Sequence, residues 1–153
     1  MLFRSGRAEL RQRIHGDLHL GQVLATPRGA LLVDFEGDPM REVAERCRPA
    51  SPLRDLASFL RSLDHALRSG IRRVGVRQGA PLAPERVASA EAWLADARFA
   101  FLGAYGQPVD PVLLRAHELE KAMLEFAYAA TFLPSWLYAP AGALGTLLPK
   151  VRE

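Results

Sequence analysis

The chain has a single cysteine, Cys47, in 153 residues, so neither an intrachain disulfide nor a cysteine metal cluster can form. A reducing, cytoplasmic setting fits that usage. Lysine is almost as scarce: of the 20 basic residues, all but Lys121 and Lys150 are arginine. The arginines are scattered, no run of five basic positions occurs, and the formal net charge is only +3. That pattern reads as solvated surface charge, with no nucleic-acid partner implied. Long apolar runs are missing too. No stretch reaches eighteen apolar residues, and the first thirteen residues carry Arg4, Arg7, Glu9, Arg11 and Arg13 without an apolar segment, so neither a membrane span nor an export signal is expected. What remains, 49% apolar and 24% charged residues, is enough for the core of one globular domain.

After a polar N-terminal stretch of helical flavour (residues 1–13), two short apolar runs, Val23-Leu24-Ala25 and Ala30-Leu31-Leu32-Val33, flank the turn-rich Thr26-Pro27-Arg28-Gly29. They read as a β-hairpin. An antiparallel hairpin would bring Gln22, before the first strand, close to Asp34, after the second. Asp34 to Pro39 reads as a tight turn. From Ser51-Pro52, a capping pair, leucines at 53, 56, 60, 63 and 67 predict a helix ending near Gly70, followed by a loop over 70–83. A second helix is expected from Pro84-Glu85 to Tyr105-Gly106, with Val87, Trp93, Leu94, Ala97 and Phe101 inward. A third runs from about Pro111 to Tyr128 on the stripe Leu113, Leu114, Met123 and Phe126. Pro134, Pro140 and Pro149 break the tail into short pieces. The fold expected is α+β and mostly helical, one domain over 1–153, with the polar loops at 14–37 and a helical subdomain at 51–153.

The block from Ile14 to Gln22, followed by Val33 to Gly37, concentrates His, Asp, Gln and Glu between apolar runs, where functional loops occur. Phosphoryl transfer needs a carboxylate to take a hydroxyl proton and hard ligands to hold Mg²⁺ against the phosphates. Kinases supply these as a catalytic-loop Asp, an amide five residues later, and a second Asp after the following strand. Asp17, Gln22 and Asp34 have that order and spacing, which makes Asp17 the candidate base and Gln22 and Asp34 candidate Mg²⁺ ligands. A competing reading takes His15, Asp17 and His19 as ligands of a metallohydrolase. It is the weaker one, because His65 and His117 lie in helical stretches without partners at metal-ligand spacing.

His15-Gly16-Asp17-Leu18-His19 with Gln22, then Asp34-Phe35-Glu36-Gly37, resembles the catalytic and metal loops of the aminoglycoside-phosphotransferase and choline-kinase-like fold. More narrowly, RIHGDLHLGQVL, LLVDFEGDP, SPLRDLASFLRSLDHA and ELEKA resemble bacterial maltokinases, which are often fused to trehalose synthase. The resemblance implies transfer of phosphate from ATP to maltose, giving maltose 1-phosphate and ADP, with Asp17 as base, Gln22 in place of the usual Asn ligand and Asp34 as the metal-loop Asp. It implies that His15 braces the loop. Asp55 either accepts hydrogen bonds from catalytic-loop N–H groups or caps its own helix. It also sets Lys121, Glu125 and Tyr128 along a sugar pocket, and His19 and Glu36 join them as candidate substrate contacts. Leu124, Ala129 and Leu133 depart from the family's Tyr, Glu and Arg, so sugar specificity is open. Trp93 and Trp136 are expected in the core.

A Gly-rich strand loop, a strand Lys and its partner Glu do not precede His15, although kinases grip ATP with them. The chain is therefore expected to be a kinase C-terminal lobe without its N-lobe, inactive alone, with the N-lobe or a trehalose synthase domain as partner. The alternatives are a fragment of a kinase for glucosamine or another small molecule, and a non-catalytic sugar-binding or interaction remnant.

Overall fold

The computed structural model describes residues 10–148. Most of the N-terminal polar stretch, Pro149 and Lys150 lie outside the described residues. In chain order come a single turn at Leu20–Gln22, strands β1 (Val23–Thr26) and β2 (Gly29–Leu32), a short helix α1 (Val43–Arg46), and three long helices, α2 (Leu53–Gln78), α3 (Pro84–Tyr105) and α4 (Pro111–Phe132). A turn at Pro134–Trp136 leads into α5 (Tyr138–Leu147). The two strands pair antiparallel, from Val23 opposite Leu32 to Thr26 opposite Gly29, so the expected hairpin forms with Pro27-Arg28 at its tip. The result is mostly helical α+β. Among the described residues, no helix is long and apolar enough to cross a membrane.

The leucine stripe of α2 makes it the spine of the core: Leu53, Leu56, Ala57, Leu60 and Leu63 are buried with Leu114 of α4, and Leu94, Phe101 and Tyr105 of α3 pack against them. The expected loop over 70–83 is mostly helix instead, because the three- and four-residue spacing continues from Leu67 through Ile71 and Val74 despite Gly70. The helix stops at Gly79, whose φ of 69° suits a residue without a side chain, as Gly79 and Ala80 donate back to Val76 and Gly75. Pro140 does not break the tail. It sits buried in the first turn of α5, where a missing N–H costs nothing.

Two stripes read from hydrophobicity hold only in part: Leu94, Ala97, Phe101, Leu113 and Leu114 meet the core, but others do not. Trp93 is 52% exposed and Met123 63% exposed, and Phe126 is also at the surface. Helix α4 instead turns Leu114, Glu118, Ala122 and Ala129 inward. Small residues let it approach its neighbours closely, and the buried Glu118 carboxylate is met by both Nη atoms of Arg98, at 2.6 and 3.0 Å. A paired charge can thus occupy the position that an apolar pattern would give to Met123.

A second buried ion network ties α2 to α4. Arg61 is one of the largest fully buried side chains. It donates through Nη1 to Asp64 at 2.7 Å, and through Nη2 and Nε to Glu125 Oε2 at 2.8 and 3.3 Å. Arg68 Nε adds a 2.8 Å bond to Asp64. Burial works against ionisation of Asp64, but the hydrogen bonds from Arg68 and Arg61 outweigh it and hold its carboxyl below the ordinary range. A lowered native value means that this stabilisation is complete above the ordinary carboxylate pKa of about 3.9 and is lost as pH falls through the lower native value. Chemical denaturation across an acid series is expected to show stability falling below about pH 4, with a shallower fall in Asp64→Asn. An identical fall in that variant would exclude Asp64 as a contributor.

Candidate active site

The candidate catalytic loop, His15 to Gln22, is fixed by α2. Asp55, in the first turn of that helix, accepts the His15 N–H at 2.7 Å and the Gly16 N–H at 2.9 Å, one on each oxygen. Of the two roles open in the sequence, the cross-chain one is therefore realised. Burial raises the Asp55 carboxyl above its ordinary pKa, and the two backbone bonds only partly offset that. His15, itself buried, donates from Nε2 to the Val33 carbonyl at 2.8 Å. This tautomer leaves Nδ1 to accept the Asp17 N–H at 3.4 Å, so both ring nitrogens brace the loop and neither is open to a metal. Gly16 has φ 85°, and a Cβ there would lie 3.1 Å from Gly37 Cα; the two loops touch backbone to backbone. Asp55→Ala strands two N–H donors and is expected to lower the unfolding free energy by about 1.5–3 kcal/mol. Loss of under about 0.5 kcal/mol in urea denaturation would mean that water replaces the carboxylate without penalty.

Asp17 is flanked on both oxygens. Lys121 Nζ, from α4, donates to Oδ1 at 3.2 Å, and His19 Nε2 stands 3.9 Å from Oδ2. The His19 Nδ1 accepts the Gly21 N–H at 3.0 Å, which leaves Nε2 as the protonated nitrogen of a neutral ring. One hairpin away, Gln22 Nε2 donates to Asp34 Oδ2 at 2.7 Å. Asp34 has a positive φ, 66°, the only non-glycine residue to do so among the described residues, a conformation that Asp adopts more readily than most residues. Gln22 Oε1 and Asp34 Oδ1 have no hydrogen-bond partner among the described residues. An amide oxygen and a carboxylate oxygen side by side are the kind of hard, incomplete ligand pair that Mg²⁺ shares with water and phosphate.

Beside Lys121 opens a pocket of about 500 Å³ between the catalytic loop, α2, α4 and the Pro134–Trp136 turn. Its wall includes His19, His65, Lys121, Glu125, Tyr128 and Trp136. The expected substrate contacts His19, Lys121, Glu125 and Tyr128 thus meet there. Glu36 does not: it is exposed on the turn after Asp34, and its carbonyl accepts from Arg46. Trp136 is a correction to the core assignment, being 43% exposed and stacked on His65 with ring centroids 5.4 Å apart. His65 was passed over in the sequence because it had no metal-ligand partner; burial, the main influence, lowers its pKa. Arg61, four residues earlier and joined to Glu125, carried no sequence signal beyond its place on the leucine-rich helix. Ser58, buried on the same helix, lines the pocket with its hydroxyl unpartnered.

No family model matches the chain. The chain is 34% identical over 145 residues to the glucosamine kinase of Mycolicibacterium smegmatis, covering 89% of the chain and 34% of that protein. It is 31% identical over 146 residues to the glucosamine kinase of Streptacidiphilus jiangxiensis, covering 90% of the chain and 32% of that protein. Among solved structures, a glucosamine kinase superposes with a TM-score of 0.77 at 30% identity over 92% of the chain and 35% of the other. Another, a glucosamine kinase in complex with glucosamine, ADP and inorganic phosphate, gives 0.75 at 31% identity over 91% of the chain and 33% of the other. The chain is similar to about a third of a glucosamine kinase. It spans only that fraction of the curated relatives it matches. The narrower resemblance to maltokinases is corrected by these matches, since the relatives at 31–34% identity are named for glucosamine.

Proposed function

We propose that this chain is the C-lobe-type portion, of aminoglycoside-phosphotransferase kind, of an ATP-dependent sugar kinase whose acceptor is glucosamine or a close relative. The observation that carries the reading is that Asp17 is held by Lys121 and stands 3.9 Å from His19, two residues that line the 500 Å³ pocket, while Gln22 and Asp34 one hairpin on present paired oxygens. In this reading an acceptor hydroxyl entering from the pocket gives its proton to Asp17 Oδ2, while Lys121 keeps the other oxygen in place. Bound Mg²⁺ at Gln22 and Asp34 would supply charge neutralisation for the phosphates of ATP. His15 and Asp55 hold the loop and touch no substrate. Ala129 and Leu133, two of the three departures from the maltokinase pattern, lie on the pocket wall, which suits an acceptor other than maltose.

The nucleotide side would pack over the hairpin and metal loop. Leu24, Leu31, Leu32, Phe35 and Met40 are all exposed there, an apolar surface of the kind that a further body covers. The test is ATP-dependent phosphorylation of glucosamine by the chain supplemented with the nucleotide-binding portion of such a kinase, followed as ADP release. ADP release that does not depend on the sugar would sink the assignment.

A further inference from the structure

The second half of α2 and the start of α3 carry a charge pattern that the proposed reaction does not use. Residues 65–86 hold five arginines, at 68, 72, 73, 77 and 86, against one acidic residue, Glu85. Their formal charge exceeds the +3 of the whole chain, so the positive excess of this protein is gathered at the α2–α3 corner. By contrast Arg41, Arg54, Arg61 and Arg98 each face a carboxylate. At the corner Arg68 does so, through Asp64, but Arg73, Arg77 and Arg86 are exposed and form no ion pair among the described residues. The Arg72 guanidinium lies 4.3 Å from the centre of the Tyr138 ring, and a stacked guanidinium keeps its N–H edge for an incoming carboxylate.

Beside these arginines opens an apolar cleft of about 500 Å³. Its lining includes Ile71, Arg72, Gly75 and Val76 of α2, Leu82 of the connecting loop and Val87 of α3. Gly75 lets the loop close it: a Cβ there would lie 3.2 Å from the Ala80 carbonyl oxygen, and the Ala80 N–H donates to the Gly75 carbonyl at 3.1 Å. We infer that this corner docks an extended acidic segment of a partner protein, with carboxylates on Arg72, Arg73 and Arg77 and an apolar side chain in the cleft. Charge complementarity chooses the occupant. A nucleic acid would satisfy the arginines but leave the apolar lining uncovered, and a bilayer suits a protruding apolar face better than a concave one. A second copy of this chain, pairing corner to corner, would bring like charges together. The inference stands apart from the kinase reading and needs none of its residues.

The experiment is fluorescence anisotropy with the full chain and a fluorescein-labelled peptide of repeated Glu-Glu-Leu. The expected result is saturable binding at low salt that weakens about tenfold when serine replaces leucine in the peptide, and about tenfold in Arg77→Glu. Arg28→Glu, the same charge change at the hairpin tip, is expected to leave the affinity within about twofold. Arg77 is exposed, so its replacement is expected to leave the melting temperature unchanged; should it fall, the serine peptide decides without any substitution. Equal binding of the leucine and serine peptides overturns the inference, as does full affinity in Arg77→Glu or an equal loss in Arg28→Glu. No binding at about 1 mM peptide overturns it too. Tighter binding of an oligodeoxynucleotide of equal charge would overturn it in favour of a nucleic-acid surface.

Discussion

Arg61→Met is expected to destabilise the fold by about 3–5 kcal/mol, the range found when one partner is removed from a buried ion pair. The substitution keeps much of the side-chain volume, so the loss is electrostatic and not a cavity effect. Asp64 retains Arg68 at 2.8 Å, but Glu125 loses both of its bonds from α2 and is left as a half-buried carboxylate with no cation. Two long helices are thereby uncoupled at the level of the pocket. Guanidinium denaturation gives the measurement, and the double variant Arg61→Met with Glu125→Leu separates two explanations. If the stranded carboxylate is the cause, the double variant recovers most of the loss, because an apolar pair can replace a buried ion pair at little cost. A double variant as unstable as the single one would point to packing around Arg61 instead. The substitution Arg61→Lys is expected to be intermediate: the ammonium keeps the charge but cannot fork between Asp64 and Glu125 as a planar guanidinium does.

On the proposed reading, and in the chain supplemented with the nucleotide-binding portion of such a kinase, Asp17→Asn is expected to lower the rate of phosphoryl transfer to glucosamine by roughly 10²–10⁴-fold, the usual contribution of a positioned general base. The substitution is nearly isosteric and Asp17 is not fully buried, so the melting temperature is expected to stay within a few degrees. The two kinetic constants separate the roles open to the residue. A base acts in the transition state, so kcat falls while KM for the sugar changes little. A group that merely grips the sugar would raise KM at constant kcat. Full turnover in Asp17→Asn would remove the assignment of the base altogether. Lys121→Met gives a complementary result, since loss of the 3.2 Å contact frees Asp17 Oδ1 to rotate: kcat falls by a smaller factor, and the partial recovery expected in Lys121→Arg would tie the effect to the positive charge.

The local parts of this arrangement were legible in the chain. Two apolar runs around a four-residue turn suffice to bring Gln22 and Asp34 within 2.7 Å, because antiparallel pairing leaves no other place for the strand ends. The starts of α2 and α3 are marked locally as well, by Ser51, which accepts the Leu53 N–H at 3.3 Å, and by Pro84 in the first turn of α3. Asp55 was recognisable as a residue with two possible partners, yet only tertiary contact decided between them. Contacts across great sequence distance were not legible. Lys121 reaches Asp17 across 104 residues and Arg61 reaches Glu125 across 64, and no periodicity encodes either. The helix beyond Gly70 was missed because glycine was weighed as punctuation, although a single glycine costs a long helix only about 1 kcal/mol. The inner face of α4 was misread because ion-paired glutamates and alanines occupy it where the pattern asked for methionine and phenylalanine. The name of the sugar was the least legible feature. The residues that line the pocket are spread over the loop before β1, α2, α4 and the turn after it, and no single motif spans them.

The hairpin has a further consequence for the way the site moves. Its two strands are four residues each and exposed along nearly their whole length, and among the described residues no third strand joins them. Such a pair is marginally stable by itself. Amide hydrogens of Val23 to Leu32 should therefore exchange with solvent through small local openings, while those of His15 and Gly16, held on Asp55, exchange far more slowly. The link between the two is the bond from His15 to the Val33 carbonyl, where a yielding segment is fastened to a rigid one. Asp17 and the oxygens of Gln22 and Asp34 consequently sit on supports of different stiffness, the carboxylate on the loop braced by Asp55 and the oxygens at the base of the yielding hairpin.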